Sequence, residues 1–433
     1  MKHEYDVVIA GAGIAGLSLA ALLASRGGIK VLLSEKEDSV GGRFRVEKKD
    51  GYLVDWGVHA CLLGSRGAIA TVLKSAGKSV TIPSVGVSIW DGRRTIHFLG
   101  ERLSSLARQR AVTLRDLARP GIEALKKPMG RRLFETSVDE WCEDRNVSNA
   151  LRRVLESLCT GLMPTARFDR ASIGEILDFL RMAGTRWRAI GYPKGGWSSV
   201  FDALTEAVEI SPLCELTLGM PLEKVITERG RVKSVVVGGR EVMTRSVVCA
   251  FPPQALAARG FVEPELDGSY TEGLRSLEGG SGLCIDIGLE KPVTADSRIV
   301  LSPEPPALLW PVSNVSPEVA PDGRQLLQLF SPLEESEASR EDIIDERKRM
   351  LLLLAGNVYG EDLEVEWRRV MVTPVVSVVP HTTQSRPARP KLVVPGVSGM
   401  FLIGDGVSAP GLGGDLAARS ALEAERMIRN YLG

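Results

Sequence analysis

The fold of this chain is decided near its amino terminus by the stretch Asp6-Val7-Val8-Ile9-Ala10-Gly11-Ala12-Gly13-Ile14-Ala15-Gly16. Its apolar, mostly β-branched first half predicts a buried strand, and three spaced glycines follow at once. Leucine and alanine then predominate as far as Ser25, which predicts a helix. A second apolar run, 29–34, predicts another strand and ends at Glu35, nineteen residues after Gly16. Strand, glycines, helix, strand and acid at these spacings are typical of a dinucleotide-binding βαβ unit.

Each glycine has its own task in such a unit. Gly11 permits the tight turn, Gly13 lets the backbone approach a pyrophosphate, and Gly16 allows the helix to pack closely on the strand. The helix N-terminus offers free N–H groups and partial positive charge to the phosphates. Glu35 is placed to accept hydrogen bonds from a ribose. The neighbours of these groups are further candidates for cofactor binding, namely Ile14, Ala15 and Lys36.

Two other interpretations of this stretch are open to argument. Residues 7–25 carry no charge, which is long enough for a signal peptide or a membrane span. However, Glu4 and Asp6 stand where a signal would be basic, and the glycines would weaken a spanning helix. A plain βαβ unit with a glycine-rich turn would not need the acid at its exact spacing, so the nucleotide interpretation is favoured.

Length and composition limit the classes of protein. A chain of 433 residues predicts two or more domains, and 44% hydrophobic with 25% charged residues is ordinary for a soluble protein. Zero net charge gives no general attraction to nucleic acid. The six cysteines form no CxxC pair and the four histidines lie far apart. We therefore expect no metal site, no nucleic-acid partner and a reducing, cytoplasmic location.

The segment 93–132 is locally basic. It holds eleven lysines and arginines against three acids, a net charge of +8, with apolar residues interleaved at helical spacing. Such a segment could lie on anionic lipid, which would make the protein peripheral at the inner face of a membrane. The alternative is a solvated helical face over the protein's own core. Both interpretations stay open at this point.

Turn signals divide the rest of the chain. Asp91-Gly92 between apolar runs predicts a hairpin of 84–90 with 95–99. Arg229-Gly230 and Gly238-Gly239 separate three predicted strands, 222–227, 232–237 and 241–250. A strand at 400–403 then ends in Gly404-Asp405. The glycine-rich run 411–415 opens a terminal helix, 416–431, and forms a second corner suited to an anion or a dipole.

Five stretches together resemble the FAD-binding amine oxidase superfamily, and within it the phytoene desaturase and protoporphyrinogen oxidase branch. They are the glycine turn at 11–16 with Glu35, Gly41-Gly42-Arg43, Asp55-Trp56-Gly57-Val58-His59, Gly191-Tyr192-Pro193-Lys194-Gly195-Gly196, and Gly404-Asp405 with its glycine-rich sequel. Their order spans the chain. Singly, only the first two are specific.

The resemblance implies FAD bound in an extended form. The glycines of the first turn would meet the phosphates together with Gly42 and Arg43, and Glu35 would meet the adenosine ribose. The backbone at Leu222 would meet adenine. Asp405, next to Gly404, would hydrogen-bond the ribityl chain. Two further groups would reach the flavin, Gly57, Val58 and His59 at the isoalloxazine edge and Gly413, Gly414 and Leu416 at the pyrimidine.

The fold class implied is α/β and α+β, a Rossmann-type FAD-binding domain with a discontinuous second substrate domain of mixed sheet plus helices. We expect the FAD domain to comprise 1–80, 190–255 and 391–433. The substrate domain would comprise 81–189 and 256–390, with the pocket between the two.

The function implied is that of an FAD-dependent dehydrogenase or desaturase, taking a hydride from a small apolar substrate (polyene, isoprenoid or porphyrinogen) onto flavin N5. His381, in a proline-rich loop, Asp415 or solvent would take the proton, and the catalytic residues are unknown. Only one dinucleotide fingerprint exists, so we expect reoxidation by oxygen or a quinone.

Three alternatives remain, namely a flavin amine oxidase, a redox-neutral polyene isomerase and a non-catalytic flavoprotein lipid carrier. Amine oxidases of this superfamily carry a lysine where Leu283 stands, and their pair of tyrosines is not evident near Gly404-Asp405. These departures favour the desaturase interpretation.

Overall fold

A computed structural model describes residues 4–99, 122, 130–184, 190–360 and 363–433 of the protein. Most of the basic segment 93–132 lies outside these residues. The strands are β1 (Tyr5–Ala10), β2 (Val31–Ser34), β3 (Val46–Lys49), β4 (Tyr52–Asp55), β5 (Cys61–Leu62), β6 (Ser84–Val85), β7 (Val87–Trp90), β8 (Thr95–Leu99), β9 (Ile190–Gly191), β10 (Cys214–Thr217), β11 (Leu222–Glu228), β12 (Arg231–Val237), β13 (Arg240–Cys249), β14 (Val262–Glu263), β15 (Gly280–Leu289), β16 (Ile299–Pro303), β17 (Pro306–Trp310), β18 (Gln325–Leu333), β19 (Val365–Val376) and β20 (Met400–Leu402). The helices are α1 (Ile14–Arg26), α2 (Ala68–Ser75), α3 (Arg131–Phe134), α4 (Val138–Asp144), α5 (Asn149–Leu162), α6 (Ile173–Ala183), α7 (Gly196–Glu209), α8 (Gly268–Arg275), α9 (Glu341–Tyr359) and α10 (Gly413–Leu432).

The predicted βαβ unit forms the centre of an eight-stranded sheet. Strands β10, β2, β1 and β13 lie side by side and parallel, and β20 continues the parallel order beyond β13. Both β1 and β2 are almost wholly buried, as expected for parallel strands covered on both faces. Helix α1 packs against α7 and α10. The Rossmann-type part of the fold prediction is therefore confirmed.

Three consecutive strands, β11, β12 and β13, form an antiparallel meander in the same sheet. The two predicted turns are present, and Gly230 and Gly238 adopt φ values of 72° and 54° that favour glycine. Strand β13 serves both arrangements, since its first half pairs with β12 and its second half with β1 and β20.

A second, seven-stranded sheet has the order β19, β15, β18, β17, β16, β7, β8. Its neighbours are antiparallel except for β16 and β7, so the sheet is mixed, as predicted. The hairpin at Asp91-Gly92 is confirmed by the pairing of Trp90 with Thr95. Helix α5 packs on β16 and β17, and α9 packs on β18 and β15.

The terminal helix differs slightly from its predicted range. The predicted terminal helix, 416–431, begins three residues earlier, at Gly413. Glycine is a poor helix former, so the sequence signal starts late, although the two glycines form the first turn of α10.

Strands of the eight-stranded sheet come from 5–34, 214–263 and 400–402. The bounds of the two domains stay predictions. In the described part of the chain, no helix is long and apolar enough to span a bilayer.

Candidate functional site

The amino-terminal glycine turn has the geometry that its spacing predicts. A Cβ on Gly11, whose φ is 104°, would lie 2.8 Å from the Ala250 carbonyl oxygen. A Cβ on Gly16 would lie 1.8 Å from the Gly11 oxygen, so helix and turn touch there. A Cβ on Gly13 would meet nothing within 4 Å. The turn is therefore closely packed at its first and third glycines and open at the second, where a pyrophosphate would approach.

The N-terminus of α1 lies at this opening. No side chain caps it, so the N–H groups of its first turn are not bonded by a capping side chain of the protein. Ile14 lines the central cavity described below, whereas Ala15 and Gly16 are buried against the sheet. An uncapped helix N-terminus facing open space fits an anion, and this is the observation that makes the residues suitable for the phosphates of FAD.

Glu35 is buried and turned toward the glycines. Its Oε2 accepts a hydrogen bond from the Ala12 N–H over 2.6 Å, and its Oε1 accepts from the Glu37 N–H over 3.1 Å. This places the carboxylate beside the turn, as the ribose-binding prediction requires. Lys36, by contrast, is exposed, with its Nζ 3.4 Å from the Glu37 Oε1, and it does not line the cavity.

Arg43 and Asp405 meet, although they are far apart in the sequence. The Arg43 guanidinium donates to both Asp405 oxygens over 2.6 and 2.8 Å, and also to the Val375 carbonyl oxygen and the Ser377 Oγ. Gly42, at φ 56°, places the Arg43 loop against the first turn, since a Cβ there would lie 3.5 Å from the Gly13 Cα. Arg43 and Asp405, both predicted to bind the cofactor, line the central cavity.

Asp405 is an anion with all its lone pairs engaged. Besides Arg43, the Ser377 N–H donates to Oδ2 over 3.0 Å and the Ser377 hydroxyl donates to Oδ1. Although burial alone would raise the pKa of this carboxyl, the Arg43 charge and these hydrogen bonds lower it to about 2. Ser377 was missed in the sequence because it follows a strand without any motif. Gly404, at φ 136°, makes the turn that presents Asp405.

The predicted loop of Gly57, Val58 and His59 reaches the cavity through Val58 and His59, whereas Gly57 does not line it. The His59 Nε2 lies 2.9 Å from the Arg43 carbonyl oxygen and 3.1 Å from that of Trp56, so Nε2 carries the proton. Burial lowers the His59 pKa to about 4, and the ring stays neutral. It stacks on Phe44 with ring centroids 4.0 Å apart. These contacts give His59 a structural role in holding the loop.

The carboxy-terminal glycine turn completes the wall. A Cβ on Gly413 would meet nothing within 4 Å, and one on Gly414 would lie 2.8 Å from the Phe44 ring. Both line the cavity, whereas Leu416 is buried behind them and its neighbour Ala417 lines the cavity instead. Phe44 was not predicted, although it directly follows Arg43.

Leu222 begins β11 and does not line the cavity. The chain just before it is tied to the end of β2, since the Ser34 hydroxyl donates to the Met220 carbonyl oxygen and the Met220 N–H donates to the Glu35 carbonyl oxygen. The Leu222 backbone therefore lies near Glu35, on the adenosine side of the predicted site.

One cavity joins these groups to the second sheet, with about 1000 Å³ of space between its lining atoms, part of it open to solvent. On the cofactor side the lining residues are Ile14, Arg43, Phe44, Val58, His59, Ala60, Leu62, Asp405, Gly413, Gly414 and Ala417. Beyond them, helix α5 and the seven-stranded sheet contribute Val87, Leu158, Thr160, Gly161, Leu162, Pro164, Ile299, Leu301, Leu308, Trp310 and Phe330. This second group contains no ionisable side chain.

The strand that would carry an amine oxidase lysine presents no charge to the cavity. Leu283 is fully buried in the smaller hydrophobic core with α9. On the opposite face of the strand, a Cβ on Gly282 would lie 2.1 Å from the Phe330 ring, which therefore covers this position. No lysine or tyrosine of the described residues lines the cavity.

Neither named proton acceptor reaches the cavity. His381 is buried, not exposed in its loop, with its Nε2 3.4 Å from the Thr165 Oγ1 and its Nδ1 3.8 Å from a Glu278 oxygen. Burial lowers the His381 pKa to about 4. The Asp415 carboxylate accepts from the Ala68 N–H, at the start of α2, and from Arg419. Both side chains have partners in the local structure and neither lines the cavity, and the group that takes the proton stays a prediction.

Comparison with known proteins agrees with this site. The model of the family described as flavin containing amine oxidoreductase matches residues 14–427. A phytoene desaturase of Fusarium fujikuroi is 26% identical over 281 residues, which cover 54% of this chain and 46% of that relative. The match thus spans about half the relative's length.

Solved structures share the fold. An oxidoreductase from Methanosarcina mazei superposes with a TM-score of 0.81 at 19% identity, covering 97% of this chain and all of the other. A protein from Exiguobacterium sp. 255-15 named after protoporphyrinogen oxidase gives a TM-score of 0.69 at 17% identity, covering 100% and 99%. At such identities the likeness concerns the fold alone.

Proposed function

The chain belongs to the family of flavin-containing amine oxidoreductases, and from this premise we propose that it removes a hydride and a proton from an apolar substrate such as a polyene, isoprenoid or porphyrinogen. The family match confirms the resemblance found in the sequence. The protein is an FAD-dependent oxidoreductase. The proposal concerns its substrate.

The observation that supports an apolar substrate is the second group of cavity-lining residues. Between α5 and the seven-stranded sheet, the wall is built from aliphatic and aromatic side chains with one hydroxyl, that of Thr160. Binding of a hydrocarbon there is favourable, because its apolar surface leaves water. Binding of an ammonium group is unfavourable, because the group would lose its hydration without finding a carboxylate. The closest acid, Asp405, is already paired with Arg43.

Bound FAD would supply the hydride acceptor. The protein's own residues would hold it through the two glycine turns, Glu35, Arg43 and Asp405, and would exclude water with Phe44 and the apolar wall. Of the described cavity-lining side chains, His59 is held neutral by burial and Asp405 is held as an ion pair. Neither is a suitable base at neutral pH, so we propose that solvent takes the proton.

We expect the purified flavoprotein, mixed anaerobically with substrate, to be bleached by apolar polyenes or porphyrinogens and not by primary amines. Reoxidation by oxygen or a quinone should then restore the colour and yield a product with two fewer hydrogen atoms. Bleaching by amines alone would contradict the proposal. An isomerised product of unchanged mass would favour an isomerase, and ligand binding without bleaching a carrier.

The variant Leu301→Trp provides a test of the cavity itself. Leu301 lies on β16 in the apolar wall, and a tryptophan there should narrow the space beside α5 at a cost of about 1–3 kcal/mol of stability. Bleaching by long substrates should slow, while FAD retention should not change. Unchanged bleaching rates would place the substrate elsewhere.

We also propose that the basic segment 93–132 contacts anionic membrane lipid. Its net charge of +8, in a chain whose total net charge is zero, supports this. In liposome sedimentation, binding to anionic vesicles should be strong at low salt and weak at high salt, because salt screens charge attraction. Neutral vesicles are the control. Equal sedimentation with both vesicle types would contradict an electrostatic contact.

A further inference from the structure

A cluster of buried polar side chains lies behind the cavity wall. We call it the wall cluster, and it consists of Asp55, Tyr192, Asp286, Gln328 and Arg369. Asp55, Tyr192, Asp286 and Gln328 are each at most 1% exposed. They come from β4, the segment after β9, β15 and β18, and the last two strands belong to the seven-stranded sheet, as does β19, which carries Arg369. None of the five lines the cavity itself.

The wall cluster touches residues that do line the cavity. The Tyr192 ring packs edge-to-face on Trp310 with centroids 5.3 Å apart. The Gln328 Nε2 lies 3.4 Å from the carbonyl oxygen of Gly57, in the predicted isoalloxazine loop. A charge within the cluster is therefore separated from the cavity by one layer of atoms, in a medium that screens it poorly.

Asp286 is the carboxylate that the cluster supports as an anion. Its Oδ2 accepts from the Arg369 Nε and Nη2 over 3.0 and 2.8 Å. Its Oδ1 accepts from the Gln328 Nε2 over 3.0 Å. Both oxygens are satisfied, and one of the bonding groups carries a full positive charge.

Asp55 has much weaker support. Its Oδ2 accepts one hydrogen bond, from the Tyr192 hydroxyl over 2.7 Å, and its Oδ1 is buried with no partner. Arg369 reaches only the Asp55 main-chain oxygen. The Gln328 Oε1 is another buried acceptor without a donor. A proton on Asp55 would give the cluster one more hydrogen-bond donor where two buried acceptors have none. It would also remove a poorly compensated buried charge.

The charges around Asp55 give the same answer. The titratable groups facing it or its partners, among the described residues, are Asp286, Arg369, Tyr192, Cys61 and, beyond Arg369, Glu47. Only Arg369 is cationic, and it already bonds Asp286 and Glu47. Glu47 is half exposed, so water solvates its charge, and one cation is left for the two buried acids. Arg369 bonds the carboxylate of Asp286 and not that of Asp55, so Asp55 is the acid without a compensating charge.

We propose that Asp55 is a neutral carboxylic acid at neutral pH and acts as a positioning residue, storing one proton behind the cavity wall so that this wall bears no uncompensated negative charge toward the cofactor. The Asp55–Tyr192 bond holds the start of the Gly57 loop, and the stored proton keeps its electrostatic environment neutral. The inference rests on the proposed cofactor site and is independent of the substrate.

The titration behaviour agrees with this geometry. Burial and the charge of Asp286 raise the pKa of Asp55 to about 8, although the Tyr192 hydrogen bond and Arg369 oppose the shift. An unfolded aspartate has a pKa near ~4. The folded protein therefore binds the proton more tightly than the unfolded chain between these values. Stability from this group should fall as pH rises from about 4 to 8, by up to about tenfold per pH unit in the unfolding equilibrium constant.

Two variants make the same chemical change at the two carboxyl groups. Asp55→Asn keeps an acceptor for Tyr192 and mimics the neutral acid, so in denaturant unfolding its stability should be close to that of wild type near pH 4, and its advantage over wild type should grow as pH rises to 8. The matched control Asp286→Asn leaves Arg369 without its buried anion and should be less stable at both pH values. If Asp286→Asn, rather than Asp55→Asn, removes the pH dependence, or if neither does, the proposal is overturned.

Two further measurements report on the proton itself, and the first of them needs only the wild type. The infrared spectrum of the wild type should lose one protonated-carboxyl C=O band between pH 6 and 9. In the FAD-loaded protein, the flavin midpoint potential of Asp55→Asn should equal that of wild type at pH 6 and exceed it at pH 9, since an ionised Asp55 repels added electrons. A purely structural Asp55 would change neither the band nor the potential's pH profile, and that result would reject the proposal.

Discussion

Replacing Gly13 with aspartate should give a folded protein that no longer retains FAD. A Cβ at this position meets no atom within 4 Å, and the φ of −73° suits any residue, so we expect the fold to accommodate the substitution. Aspartate at the N-cap of α1 could even accept a hydrogen bond from the first helical turn. The same carboxylate would occupy the opening and repel a pyrophosphate. The measurements are the absorbance of the purified protein and its melting temperature with and without added FAD.

Two glycine variants serve as controls for this prediction. Gly268→Asp places the same residue at an exposed, unobstructed position at the start of α8 and should leave the colour unchanged. Gly16→Ala should instead prevent folding, because its Cβ would overlap the Gly11 oxygen at 1.8 Å. Full retention of FAD by Gly13→Asp would show that the cofactor does not approach this turn.

Arg43→Ala should cost about 3 kcal/mol of stability as well as FAD affinity. It would remove two of the hydrogen bonds on the buried Asp405 carboxylate and its only cationic partner there. Because the pKa of Asp405 lies at about 2, its contribution to stability is present above the unfolded value near ~4 and is lost as pH falls toward 2. Without Arg43, this acid sensitivity should move to higher pH.

The measurement is denaturant unfolding from pH 3 to 7, together with FAD titration of the apoprotein. Arg43→Ala combined with Asp405→Asn should recover part of the stability, since no buried charge is left unpaired, but should not recover FAD affinity. Arg170→Ala is the control, because the Arg170–Glu278 pair is more exposed and should contribute less than about 1 kcal/mol. Equal losses for the two arginine variants would contradict the role given to Arg43.

The features that the sequence predicted well are those specified by local rules. The glycine turn, the meander and the Asp91-Gly92 hairpin each depend on residues within a few positions of one another. The resemblance extended this to residues far apart, and the meeting of Arg43 with Asp405 agrees with it. Phe44 could have been found, since it directly follows Arg43 and packs on both His59 and Gly414.

Other features were beyond local rules. Ser377 has no motif, and it matters only because β19 ends beside Asp405. Likewise, the wall cluster depends on the pairing of β15 with β18 and β19 and on the position of β4 beside them. His381 and Asp415 were named from the sequence as two of three possible proton acceptors, and neither lines the cavity. A histidine or aspartate near a site has the same local signal whether it serves chemistry or caps a helix, and only the burial and partners of the side chain distinguish the two.

Helix α10 has a consequence for biosynthesis. Its first turn supplies Gly413 and Gly414 to the same cavity as Ile14, nearly the whole chain away, and its body packs on α1. A nascent polypeptide thus displays its first glycine turn to the cell hundreds of residues before the opposite wall has been translated. We therefore expect FAD to be bound only after α10 has been synthesised.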